Sequence, residues 1–215
     1  MSKPVAREPM RRNSRSNRAR ILETARREFG RNPDVTLEEI AQAAGVVRRT
    51  LFGHFPGRAA LLDALADEAA EAVRSTVPEK PDPTEPPERA LALFVLAMWP
   101  VGDRYRLLLS LARRDLGMER VAQTLAPARE AVTAVLERGQ RDGVFHDHLP
   151  PEVLSAGLEA MSVSFLETAN TGAWEDDGKR IAIANLIGAG VPVQRARDVV
   201  ADVTSKIVAE PPAES

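Results

Sequence analysis

The 215-residue chain contains no cysteine. That excludes a disulfide framework, a thiolate zinc site and a thiol nucleophile. Long apolar runs are missing too. The longest uncharged stretch, Ile181 to Gln194, has 14 residues and includes Asn, Gln, Gly and Pro, short of the ~20 apolar residues that a spanning helix needs. The N-terminus has no apolar segment of secretory type, so a cytoplasmic protein with no membrane partner is expected. No stretch alternates polar and apolar residues over strand length, which argues against a sheet, and no repeat of 20–50 residues is present. G-x-S-x-G, Gly-rich phosphate loops and H-E-x-x-H are all absent, so the chain is read as a non-enzyme with no cofactor. Histidine occurs three times, and His146-Asp147-His148 is the one place where two imidazoles and a carboxylate meet. It reads as an exposed polar loop and not as a metal site.

What the chain does have is apolar material, 44% of its residues, and a charge that is divided along its length. The formal net charge is −2, but residues 1–60 carry 13 Lys and Arg against 6 Asp and Glu, and residues 61–215 carry 16 against 25. A segment at +7 followed by one at −9 is the distribution expected when one end meets a polyanion and the other does not.

Residues 1–17 hold five basic side chains and little to bury, and are expected to form a flexible basic arm. Ile21, Leu22, Ala25 and Phe29 then fall on one helical face, and Gly30 and Pro33 end that helix. Thr36 and Glu39 form a capping box, with Val35 and Ile40 placed as its hydrophobic staple. The spacing predicts a helix over 37–44, a glycine turn at Gly45, a third helix over 47–54, a break at Phe55-Pro56-Gly57, and a fourth helix from 57 or 58 to about 76. Five prolines in residues 77–87 predict a stiff loop. Further helices are expected over 88–99, 103–116, 119–141, 151–170, 177–189 and 192–209. The expected fold is all-α, with domains at 18–62 and 63–210 and a short tail at 211–215.

Two short helices joined by a glycine turn form a helix-turn-helix, the second of which enters the major groove of DNA. Ala41 and Ala44 allow the helices to cross closely, and Val46 and Leu51 anchor the second on the first. Val47, Arg48, Arg49, Thr50, Phe52 and Gly53 are left on or near the open side, where Arg can pair bidentately with guanine. Arg58 stands at the start of the next helix, a favourable place for phosphate.

The run Thr36-Leu-Glu-Glu-Ile-Ala-Gln-Ala-Ala-Gly-Val46, then Thr50-Leu-Phe-Gly-His-Phe55, then Arg58 with Leu61-Leu62 resembles the TetR family of transcriptional regulators. The likeness spans about 45 residues, from Arg18 to Leu62. Three positions depart from the family pattern: Val47 replaces a usual Ser, Phe52 a usual Tyr, and Arg58 a Lys. The first two remove hydroxyls that would bind phosphate. The resemblance implies that Thr36, His54 and Arg58 position the domain on the DNA backbone and that Arg48, Arg49, Thr50 and Gly53 lie nearest the bases, with Phe52 open to a thymine-methyl contact. Each residue also has a structural use open to it. Thr36 can be only a helix cap, His54 can pack on Phe55, Phe52 can be half-buried, and the arginines can be solvated charges.

The resemblance further implies a homodimer on a pseudo-palindromic double-stranded DNA operator, released by a small-molecule effector. On the helix over 151–170, Leu154, Leu158, Met161 and Phe165 form one stripe, and Val153, Gly157, Ala160 and Ser164 a second. A helix apolar on two sides is buried on two sides, so the second stripe, with Val199, Val200, Val203 and Ile207, is expected to meet a partner subunit. Phe94, Met98, Trp99, Tyr105, Leu109, Leu125, Met161 and Phe165 are the candidates for an effector pocket, although such side chains also build ordinary cores. Two alternatives stay open: a DNA-binding activator or architectural protein that senses nothing, and a helical enzyme with a basic tail.

Overall fold

The computed structural model describes the backbone of residues 7–170, 172 and 174–209 and the side chains of 15–169, 172 and 174–206. Among these residues the chain is all helical. The elements are α1 (Arg7–Arg31), α2 (Leu37–Ala43), α3 (Arg48–His54), α4 (Arg58–Thr76), α5 (Pro87–Asp115), α6 (Met118–Arg141), α7 (Pro151–Asn170), α8 (Lys179–Gly188) and α9 (Val193–Ala209).

Local chemistry sets the short helices. Thr36 caps α2: its hydroxyl accepts from the Glu39 N–H (3.2 Å), and the Glu39 carboxylate accepts from the Thr36 N–H (2.8 Å). The far end of α2 closes in a Schellman turn, with the Val46 N–H on the Ala41 carbonyl and the Gly45 N–H on that of Gln42, each at 3.0 Å. The turn needs a left-handed residue, and Gly45 supplies it at φ 63°.

Two expectations are corrected. Helix α1 begins at Arg7, so residues 7–17 are helical and not a flexible arm, while residues 1–6 lie outside the described residues. Polar side chains give a helix no face to bury, yet nothing in Arg11–Asn17 forbids one. Helix α5 is continuous through Pro100, where two helices were expected. Proline removes one backbone hydrogen bond. Here it stands on an exposed position, where water can serve the freed carbonyl, and buried Trp99 and Tyr105 hold the turns on either side.

The chain divides into two compact units, and the division is not linear. Unit 1 is residues 1–69 with 107–122; unit 2 is 70–106 with 123–215. The end of α5 and the start of α6 thus group with α1, α2, α3 and the first part of α4, whereas a single boundary was expected after residue 62. Ile21, Phe29, Ile40, Leu51, Leu61 and Leu65 are the largest fully buried side chains of unit 1. A Cβ on Gly30 would stand 3.2 Å from Leu107 Cδ1, so the segment packs closely on the end of α1. Unit 2 has its own core of Leu91, Leu136, Ile181, Leu186, Val200 and Val203, with Trp99 and Phe145 among them. Arg129 ties α6 to α7 through a two-pronged pair with Glu159, at 2.8 and 2.9 Å.

Candidate nucleic-acid interface

Helix α3 is fixed from behind by Leu51, fully buried, and presents Val47, Arg48, Arg49 and Gly53 on its exposed side. Thr50, Phe52 and His54 are half-buried at its edges. The sequence-predicted reading residues are thus brought together on one short helix. Helix α3 starts after Val47 without a side-chain cap, and the Val47 carbonyl accepts from the Thr50 N–H at 2.9 Å.

The two arginines differ in freedom. Arg48 pairs with Glu38 across the turn (2.9 Å) and lies over the Phe52 ring, 5.0 Å from its centroid. The Glu38 pair is well exposed, so water weakens it. Arg49 is exposed beside it. Gly53 is followed by open space, with no atom within 4 Å of where a Cβ would stand. The His54 ring is 6.3 Å from that of Phe55 and tilted by 49°, and the Arg18 guanidinium lies 5.3 Å from the Phe55 centroid.

Thr36 and Arg58, expected on the DNA backbone, have other commitments in this structure. The Thr36 hydroxyl also donates to the Glu39 carboxylate at 2.7 Å. Hydrogen bonds from the Thr36 backbone, then from its side chain, hold that carboxyl below the usual range. A phosphate approaching Thr36 therefore meets a charged carboxylate. Arg58 is half-buried and bonds to three acceptors of unit 1. Its Nε donates to Asp115 (3.1 Å), Nη1 to the Val35 carbonyl (3.1 Å) and Nη2 to the Pro33 carbonyl, and the guanidinium lies over the Phe29 ring at 4.6 Å. It joins the approach to α2, the start of α4 and the end of α5.

Neighbouring ion pairs do the same work. Arg114 reaches Asp34 (3.6 Å), and Arg120 reaches Asp63 and Asp67 of α4 at 2.7 and 2.6 Å. Asp115 is held below the ordinary carboxylate range, chiefly by its hydrogen bond from Arg114, then by Arg58, with partial burial opposing. Sequence reasoning missed Asp115 and Glu38 because both partnerships cross between elements, and no local pattern records them.

Unit 2 places the remaining candidates. Phe94, Trp99, Met161 and Phe165 join one aromatic and apolar cluster. Trp99 is 7% exposed, and its Nε1–H donates to the Asp176 carbonyl at 3.1 Å, the partner that a buried indole needs. Trp174, absent from the expected set, packs edge-on against Trp99 and 5.7 Å from Phe165. It lies in the polar stretch after α7, where no periodicity pointed to it. Met98 and Leu125 are half-buried and Tyr105 is buried, while Leu109 belongs to unit 1.

The expected subunit face splits. On α7, Val153, Gly157, Ala160 and Ser164 are all exposed. On α9, Val199, Val200 and Val203 are instead 3%, 2% and 1% exposed, buried in the core of unit 2. The correction has a simple reason: an apolar stripe records that a face is covered, not whether its own chain or another covers it. The Ile207 side chain lies outside the described residues. His146 and His148 stack at 3.7 Å in the loop before α7, and among the described residues no group of three or more His, Cys, Asp or Glu is arranged to hold a metal ion. No helix among them is long and apolar enough to cross a membrane.

Comparison with known proteins bears on this geometry. No curated protein matches the sequence. Solved structures do, over most of the chain. A bacterial regulatory protein in the tetR family from Rhodococcus RHA1 superposes with a TM-score of 0.69 at 18% identity, covering 82% of this chain and 98% of its own. CprB, a TetR family protein from S. coelicolor A3(2), gives 0.69 at 20% identity, with 90% and 99% covered. The TetR-like transcriptional regulator LfrR from Mycobacterium smegmatis, solved in complex with proflavine, gives 0.61 at 26% identity, with 80% and 93% covered. The first two likenesses are of fold. Residues 21–65, which hold α2, α3 and the start of α4 with Arg58, match the family model of the bacterial regulatory proteins of the tetR family, so this segment is similar to the N-terminal domain of that family and the chain shares the fold of its solved members.

Proposed function

We propose that the chain is a ligand-responsive repressor that binds a pseudo-palindromic DNA operator as a homodimer and leaves it when a small molecule enters unit 2. The observation that carries the reading is α3 itself, a short helix anchored by Leu51 that turns Arg48, Arg49 and Gly53 outward within the basic third of the chain. Such a helix fits the major groove, with Arg49 as the guanine reader, Arg48 on backbone or base once it exchanges Glu38 for DNA, and Thr50, Phe52 and His54 at the edges. Arg58 and Thr36 act by holding α2 and α3 in position. Phosphate binding then falls to the arginines of α3 and to the basic start of the chain.

The exposed, uncharged stripe of α7 supports the dimer, together with Ile187 at 40% and Val193 at 48% exposure. Helix α9 would then contribute its outer side, including Arg197 and Ala201, since Val199, Val200 and Val203 are already covered. A two-fold dimer sets two recognition helices on one operator. The Trp99, Trp174 and Phe165 cluster supports an effector site in unit 2, and RolR, a structural neighbour at 18% identity, was solved with resorcinol. Helix α5 carries residues of both units. An effector that prefers one setting of α5 would shift the population away from the DNA-binding arrangement.

Selecting bound duplexes from a random pool tests the reading. A two-fold motif should be enriched, and failure to enrich one would refute it.

A further inference from the structure

Val47 is 70% exposed, more than any other large hydrophobic among the described residues. Its carbonyl starts α3 by accepting from the Thr50 N–H, but its side chain is left in water. It offers no side-chain cap to α3, at a position where Ser, Thr, Asp or Asn would stabilise the helix. Its neighbour Val46 is the half-buried one, and Leu51 supplies the anchor. A β-branched side chain kept in water, on the same open side as Arg48 and Arg49, carries two costs with no folding return. The major groove offers one apolar feature that such a side chain can recognise, the C5-methyl group of thymine. Restricted χ1 freedom means that valine loses little entropy on contact.

We propose that Val47 is a specificity-determining residue that packs on a thymine methyl within each operator half-site, next to the bases read by Arg49. The assignment rests on the operator-binding reading above. It also gives a reason for valine at a place where a hydroxyl would both cap the helix and bind phosphate: apolar base contact is exchanged for backbone affinity, which Arg48 supplies from the adjacent position. Burying one methyl between the two partners is worth about fourfold in affinity (about 0.8 kcal/mol per buried carbon).

The test uses duplexes enriched by the native protein from a random pool, resynthesised with each thymine replaced singly by deoxyuridine, which lacks only the methyl. One thymine per half-site should weaken native binding about fourfold when its methyl is removed. Val47→Ala should bind the thymine and deoxyuridine duplexes equally at that position and remain sensitive elsewhere as before. Val47→Ser, which restores a cap, should lose the same discrimination while melting no lower than the native protein, a combination that a purely structural valine would not give. Enrichment of a motif with no methyl-sensitive thymine, or sensitivity that persists in Val47→Ala, overturns the assignment alone. Failure to enrich any duplex overturns the operator reading and this assignment with it.

Discussion

Arg58 separates two accounts of the helix-turn-helix segment, and its replacement by alanine distinguishes them. If the residue serves DNA phosphate, Arg58→Ala leaves the free protein intact and flattens the salt dependence of binding by about one charge. The structure commits its donors elsewhere: Asp115, the Val35 carbonyl and the Pro33 carbonyl, over the face of Phe29. Hydrogen bonds to a charged group contribute about 1.5–3 kcal/mol each, but the side chain is 31% exposed, and water replaces part of what is lost. Asp115 also keeps Arg114 at 2.8 Å, so truncation does not strand it. The expected net loss is about 2–4 kcal/mol, or roughly 5–15 °C in melting temperature for a chain of this size. Arg58→Lys should recover less than half of it, because an ammonium cannot serve three acceptors in one plane. Thermal and urea unfolding followed by circular dichroism read this directly. A loss below about 0.5 kcal/mol in Arg58→Ala, with a flattened salt slope, would refute the brace and restore the phosphate contact.

Four further outcomes are expected. Asp115 titrates below its ordinary value in the folded protein, so its contribution is present above the ordinary carboxylate range and lost as pH falls through the depressed folded value. The stability gap between the native protein and Asp115→Asn, measured by urea unfolding, should therefore shrink from pH 6 toward pH 3, and a constant gap would contradict the pairing. Gly157→Glu adds a charge where no atom lies within 4 Å, so it should leave the protomer folded and halve the mass seen by sedimentation. Both tryptophans of the chain lie in one cluster, so an effector bound there should change the intrinsic fluorescence, and Trp99→Phe should lower stability by about 1 kcal/mol through loss of its hydrogen bond to Asp176.

Short-range chemistry was legible and long-range partnership was not. Thr36 with Glu39, Gly45 in its turn, and Leu51 beneath an outward pair of arginines each announce themselves within ten residues, and the structure places all of them as read. The two apolar stripes of α7 were visible for the same reason, since helical period alone separates Leu154 and Leu158 from Val153 and Gly157. The partners of Arg58 were not legible because Asp115 lies 57 residues away, in a segment that composition assigns to the other half of the chain. Val199, Val200 and Val203 were assigned to a partner because periodicity gives a buried face without naming its cover. Pro100 was taken for a break because the rule for proline holds in isolation, whereas here exposure and flanking buried aromatics offset the lost hydrogen bond.

The central claim is that α3 reads base sequence through Arg49. Its most direct test is the ratio of affinities for an enriched duplex and a scrambled one, measured at one fixed salt concentration for the native protein and for Arg49→Ala. The native ratio should be at least about 1,000, and it should fall by a factor of about 5–150 per half-site in the variant, the equivalent of about 1–3 kcal/mol, while affinity for the scrambled duplex changes far less. A native ratio near one, or a ratio that Arg49→Ala leaves unchanged, would contradict the account.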